Sequence, residues 1–291
     1  ILLMEVFNMT NQLFINNEFI ESQSKETMDV INPATGEAFD TITLATEEEV
    51  NDAIEKSQQA QLEWERVPQP TRAEHVKLLI PLLEKNRDEI AQLYVKEQGK
   101  TLTQAYGEID KSISFIDYMT SLSMSDKGRI LQNSIANETI QIINKPIGVT
   151  AGIVPWNAPI LVLMRKVIPA IVTGCSVVIK PSEETTLLTL RLAELFRAST
   201  IPAGLIQIVP GTGETVGTQL ASHKDIQLIS LTGSMRAGKS VYENAAQTVK
   251  KVNLELGGNA PVIVTSNADL DKAVDYIAVS YTHLTLPTSE L

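Results

Sequence analysis

Residues 149–180, VTAGIVPWNAPILVLMRKVIPAIVTGCSVVIK, decide the fold. A short apolar run, VTAGIVP, ends at proline, a helix-compatible segment follows, and a second run, SVVIKP, ends at the next proline. The rhythm continues outward in LIQIVPG (205–211), IQLISLTG (226–233) and KVNLELGG (251–258), each closed by Gly or Pro. The first four runs are each followed by a stretch that can be helical. Near-continuous Val/Ile/Leu strands alternating with helices predict an α/β fold, a parallel Rossmann-like sheet with helices on both faces. Ligands of such sheets bind beyond the carboxyl ends of the strands, so chemistry is expected just after each run. Asn157, Lys180, Glu183, Gly211, Gly233 and Glu255 sit there.

Upstream the pattern is helical. TEEEVNDAIEKSQQAQLEW opens with a capping box, Thr46 and Glu49, and keeps Val50, Ala53, Ile54 and Trp64 on one face. Similar periodicity predicts one helix from about Arg72 to Val95, stopped at Gly99, and another from Thr103 to Leu122. QLFINNEFIE reads as a hairpin turning at Asn16-Asn17, and RILQNSIANETIQIINKP as a two-stranded arm turning near Ala136-Asn137.

The chain has 291 residues, 43% of them hydrophobic, and a net charge of −11. That excess of acid argues against nucleic acid as a partner. No apolar run reaches the roughly 18 residues of a membrane span, and the single cysteine, Cys175, fits a reducing compartment. These features predict a soluble cytoplasmic protein. Met9 offers a natural initiator, with residues 1–8 as upstream read-through.

Two glycine loops suggest a nucleotide. GTGETVG (211–217) is one residue too long for the dinucleotide fingerprint. GSMRAGKS (233–240) fits the phosphate loop G-x-x-x-x-G-K-S after a strand, with Lys239 on phosphates and Ser240 on magnesium, so a nucleotide triphosphatase is a rival reading. A glycine turn followed by the helix cap Ser234 explains the same residues.

Four pieces in order, GIVPWNAP (152–159), IKPSEET (179–185), LTGSMRAG (231–238) and LELGGNAP (254–261), resemble the NAD(P)-dependent aldehyde dehydrogenase family, with NPATGE (32–37) and QGKTLTQA (98–105) adding to the likeness. SFIDYM and LMRKVIPAIVTG look most like lactaldehyde or glycolaldehyde dehydrogenases. The resemblance implies that a cysteine thiolate attacks the aldehyde, hydride passes to the nicotinamide, and a glutamate-activated water releases the acid. It makes Asn157 the oxyanion-stabilising amide and Glu255 the general base. Burial of Glu255 among leucines would raise its carboxyl toward neutrality, whereas a strand-end charge would escape to water. It places the cofactor against Ile153, Pro155, Trp156, Lys180, Ser182, Glu183, Gly211, Gly233, Ser234, Leu256 and Gly257. A carboxylate at Glu183 on the ribose hydroxyls would repel a 2′-phosphate, which implies NAD rather than NADP. No metal is expected. The partners implied are a small aldehyde and further copies of the chain. Arg165 is open to two readings, a contact for a polar substrate or a solvated charge.

No cysteine follows Glu255, and Cys175 at the start of a buried strand reads as a small core residue. The expectation is an N-terminal portion without its nucleophile, inactive toward aldehydes, or alternatively a thiol-less NAD-binding module. The expected division is 1–128 for the hairpin and helices packing on the cofactor domain and 129–145 for an oligomerisation arm. Residues 146–258 form the NAD-binding sheet and 259–291 the start of a catalytic domain, with 280–291 non-native. Residues 262–264 are expected to form an exposed strand.

Overall fold

The computed structural model describes residues 12–125, 128–135, 137–259 and 261–282, without the side chains of 279–282. The readings made for residues 1–9, Ala136 and 283–291 lie outside the described residues.

A seven-stranded sheet organises the molecule. Its strands are β1 (Gln12–Ile15), β2 (Glu18–Glu21), β7 (Val149–Ile153), β8 (Ser176–Lys180), β9 (Ile206–Ile208), β10 (Leu228–Gly233) and β11 (Lys251–Leu256), in the order β11-β10-β7-β8-β9-β1-β2. The five strands read from the sequence are parallel to one another. The hairpin does more than pack on them. Asn16 and Asn17 take φ of +56° and +64°, the left-handed pair that a tight hairpin requires, and β1 then pairs antiparallel with β9 at Phe14↔Ile208.

Alternation along the strands sends side chains to two cores. Val177, Ile179, Ile206 and Ile208 face the helices α6 (Pro159–Val172) and α7 (Thr186–Ala198). Val149, Ala151, Val178 and Leu231 face α1 (Glu47–Trp64), α8 (Thr218–Ser222) and α9 (Met235–Ala246). Each is a period-2 pattern with both faces covered, as a parallel sheet demands. The α1 capping box forms as expected.

The single helix expected over residues 72–95 is three: α2 (Gln69–Lys77), α3 (Leu79–Lys85) and α4 (Arg87–Gln98). Pro81 lacks an N–H, and its ring excludes the carbonyl of Lys77, where α2 ends. Asn86 turns its amide onto the Leu82 carbonyl at 2.8 Å, a local bond that competes with the helix. The helix α5 (Leu102–Ser123) follows Gly99, which holds a left-handed φ of +80°. The ladder β3 (Thr27–Asn32) with β4 (Glu37–Thr43) was not foreseen; its turn is the NPATGE stretch. The arm is β5 (Arg129–Gln132) with β6 (Thr139–Ile142), exposed along its whole length. Residues 262–264 are exposed but form no strand, and α10 (Leu270–Thr282) follows. None of the described helices is long and apolar enough to cross a membrane.

Candidate cofactor and active site

The chain order reverses beside β7: β8 and β9 extend the sheet one way and β10 and β11 the other. A ligand crevice belongs at such a switch point. A cavity of about 690 Å³ opens there, at the carboxyl ends of the strands and on the α8/α9 face. Six of the expected cofactor residues line it: Ile153, Lys180, Ser182, Glu183, Gly233 and Ser234. Thr212 to Glu214 and the first turn of α9 complete the wall.

Two short links shape its floor. Lys180 is almost wholly buried at the end of β8, and its ammonium donates to the Pro181 carbonyl at 2.8 Å and pairs with Glu183 Oε2 at 3.1 Å. Burial pushes the lysine below its usual range, with Glu183 pulling in the opposite sense. The other oxygen of Glu183 accepts the Gly213 amide at 2.9 Å, joining the loop after β8 to the π-helical turn Gly213–Gly217. On the far wall, Ser234 caps α9 through the Ala237 amide at 3.2 Å. Carboxylate, cation and helix-end amides in one cavity of this size fit a nucleotide bearing a sugar diol and a diphosphate.

The remaining expected residues lie elsewhere. Pro155, Trp156 and Asn157 follow β7 in the loop before α6 and are not among the cavity's lining residues. Gly211 is a packing position: a Cβ there would stand 2.1 Å from Val216 Cγ2. Leu256 packs over Gly238 on α9, and Gly257 is exposed. The burial expected of Glu255 is not found. Its side chain is exposed because β11 is the sheet edge and α9 covers only the face of Leu254 and Leu256. Glu255 points to the opposite face, beside its register partner Thr232.

That face holds a lysine the sequence reading passed over. Lys166 of α6 donates to Ser230 Oγ at 2.8 Å and Thr232 Oγ1 at 2.9 Å. Burial pushes its amine down to about 8, against the attraction of Glu255. Gly152 makes room for it: a Cβ at that position would lie 3.2 Å from Lys166 Cβ.

A second missed group positions the Asn157 loop. Lys100 Nζ donates to the Asn157 carbonyl at 3.0 Å and to Glu108 Oε2 at 2.9 Å, while Tyr94 OH donates to the same carboxylate at 2.7 Å. Glu108 Oε1 accepts the amides of Ile160 and Leu161, at the start of α6. Glu97 repeats the device on α7, accepting the amides of Leu187 and Leu188 at 2.8 Å each. Acids inside helices read as solvated charges, so no local signal announced either one. Arg165 is exposed, its guanidinium 6.0 Å from the Phe115 ring centre.

The phosphate-loop reading does not survive. The helix α9 begins at Met235, so residues 235–238 are helical rather than a loop wrapped around phosphate, and Lys239 does not line the cavity. Cys175 is buried at the amino end of β8, Thr173 Oγ1 lying 3.7 Å from its sulfur. Lys180, at the other end of the same strand, is five residue steps away, roughly 16 Å.

The sequence model of the aldehyde dehydrogenase family matches residues 19–284. The chain belongs to the aldehyde dehydrogenase family. Among the members it resembles, the NADP(+) succinate-semialdehyde dehydrogenase of Escherichia coli is 38% identical over 91% of this chain and 55% of the relative. The crystal structure of Escherichia coli lactaldehyde dehydrogenase superposes with a TM-score of 0.91 at 36% identity, covering 94% of this chain and 57% of that one. Betaine aldehyde dehydrogenase from Staphylococcus aureus, solved in complex with NAD+, gives 0.88 at 35% identity over 91% of this chain and 53% of that one. The chain thus spans about half the length of the aldehyde dehydrogenases it matches.

Proposed function

We propose that this chain carries the cofactor cavity, oxyanion amide and general base of an NAD(P)-dependent enzyme that oxidises an aldehyde to a carboxylic acid. The observation that carries the reading is the cavity at the switch point, walled by Ile153, Lys180, Ser182, Glu183, Gly233 and Ser234. In this reading Glu183 orients the adenosine ribose, and the α9 amides beside Ser234 hold the diphosphate. When bound, the nicotinamide supplies the hydride acceptor. Asn157 donates its side-chain amide to the oxygen on which negative charge develops. Glu255, open to solvent, takes a proton from water. The fixed carboxylate of Glu183 favours NAD over NADP. The exposed arm, with Ile130, Ile140 and Ile142 outward, suits association with further copies of the chain in the cytoplasm.

Cys175, buried at the amino end of β8 and away from the cavity at the carboxyl ends of the strands, supports a second reading: a dinucleotide-binding module that performs no oxidation. Calorimetric titration with NAD, NADP and Mg-ATP tests the shared element. Tighter binding of NAD than NADP and none of Mg-ATP is expected; the reverse order removes the Glu183 argument. Incubating the chain with NAD and small aldehydes is expected to form no NADH. Turnover lost on Cys175→Ser would overturn the core assignment of that thiol.

A further inference from the structure

Lys166 is half-buried between α6 and β10, and both its partners are hydroxyls, Ser230 Oγ at 2.8 Å and Thr232 Oγ1 at 2.9 Å. Lys180, Lys100 and Lys250 are held differently. Lys180 donates to the Pro181 carbonyl and pairs with Glu183, Lys100 reaches Glu108 and the Asn157 carbonyl, and Lys250 donates to the Leu220 and His223 carbonyls. Carbonyl and carboxylate oxygens only accept, so those sites need the protons of an ammonium. A hydroxyl donates as well as accepts, so Ser230 and Thr232 satisfy ammonium and free amine alike. Burial lowers the Lys166 amine to about 8, which brings the free form within reach near neutrality. The cradle also opens on one side. The edge strand β11 presents Asn253 and Glu255 exposed on this face, and Asn253 Nδ2 donates to Ser230 Oγ at 3.2 Å. Glu255 is the register partner of Thr232, which sets a carboxylate beside the amine. A free amine, a way in from solvent and a neighbouring proton carrier are the requirements for addition to a carbonyl.

We propose that Lys166 is a nucleophile that captures small aldehydes reversibly as an imine, on the face of the sheet opposite the cofactor cavity. The amine nitrogen adds to the carbonyl carbon, and the carbonyl π pair moves to oxygen. Glu255 takes the proton that nitrogen releases and returns it to that oxygen, giving a carbinolamine. Its hydroxyl takes a proton and leaves as water while the nitrogen lone pair forms the C=N bond, and the iminium gives that proton back. One amine and one aldehyde yield one imine and one water, with no oxidant or reductant, and water reverses the sequence. The aldehyde reading supplies only the class of carbonyl compound; the capture itself needs neither NAD nor a thiol. Because Glu255 is the candidate general base, an aldehyde held on Lys166 stands beside it and makes excess aldehyde an inhibitor.

The test incubates the 291-residue chain with propanal near neutral pH without NAD, traps imines with cyanoborohydride and maps the adducts by peptide mass spectrometry. Lys166 is expected to be labelled about tenfold or more faster than the exposed Lys85 and Lys111, because far more of it is unprotonated. Lys250 separates the cradle from the lowered amine alone. Its amine is also pushed down to about 8 by burial, but its partners are carbonyls, so it should react no faster than the exposed lysines. Glu255→Gln removes the proton carrier and should slow labelling of Lys166. In urea the preference for Lys166 should vanish, which shows that it belongs to the fold. Equal labelling of Lys166 and Lys250, or of Lys166 and the exposed lysines, overturns the proposal. Faster labelling in Glu255→Gln also overturns it, since that is what a larger share of free amine alone would give. None of these outcomes depends on cofactor, so a chain that fails to bind NAD leaves the capture standing, and failed capture leaves the cofactor cavity standing.

Discussion

The Lys100 ammonium donates to the main-chain carbonyl of Asn157 at 3.0 Å. One lysine after a helix C-terminus therefore fixes the loop that carries the candidate oxyanion amide. Glu108 holds that lysine and also the first amides of α6, so one carboxylate of α5 ties the Asn157 loop to the start of α6. Lys100→Met is expected to cost about 2–4 kcal/mol, since it strips a largely buried acid of its cation. Urea unfolding followed by circular dichroism checks this. A loss within about 0.5 kcal/mol would mean the pair behaves as a surface bridge.

Glu97 is a carboxyl whose burial pushes it up to about 8 while its oxygens accept two α7 amides. Its folded value lies above the unfolded one. Between about pH 4.5 and 8 the unfolded chain gives up this proton while the native chain keeps it, so the contribution to stability falls as pH rises through that window. Other groups titrate there too, so the measurement is the difference between the native sequence and Glu97→Gln in urea midpoint at pH 5.5 and 7.5. The native chain should lose more stability on going to the higher pH. Parallel behaviour of the two proteins would show that the amide bonds hold Glu97 ionised.

The parallel sheet was legible because Val, Ile and Leu runs ending at Gly or Pro leave few alternatives. The Asn16-Asn17 turn was legible because two adjacent left-handed residues have a narrow sequence signature. Local pattern says nothing about which strand becomes an edge, and that is why Glu255 was expected to be buried. Two leucines flank it in sequence, but they face α9 and it faces away. Lys100, Glu108, Glu97 and Lys166 were invisible for a related reason. Each works through a partner at least eight residues distant, on another element or in a loop, and a lone charge on a helix usually belongs to solvent. Gly211 shows the converse, a glycine in a suggestive motif whose job is to admit a valine.

Gly211→Ala measures that job. The added methyl would stand 2.1 Å from Val216 Cγ2 and 2.9 Å from its Cβ, and a β-branched side chain has little freedom to yield. Overpacking of this kind costs about 1–3 kcal/mol. The turn it displaces carries the Gly213 amide that Glu183 accepts, so NAD affinity should fall along with the thermal midpoint. Stability lost with cofactor binding intact would show that the turn relaxes without moving Gly213.

Lys166 and Glu255 sit on one face of the sheet, and the lysine is poised between two opposed effects. Burial lowers its amine to about 8, and the Glu255 carboxylate holds it from falling further. Glu255→Gln removes the attraction and leaves the desolvation, so the Lys166 amine should titrate at lower pH still. Reductive methylation with a carbon-13 label and an NMR titration reads the amine directly, with Lys166→Arg assigning the signal. Because Glu255 is exposed, water screens the pair, and the shift should shrink as salt is added. An unmoved titration in the glutamine variant would mean that the two groups are uncoupled and that the low value comes from burial between α6 and β10 alone.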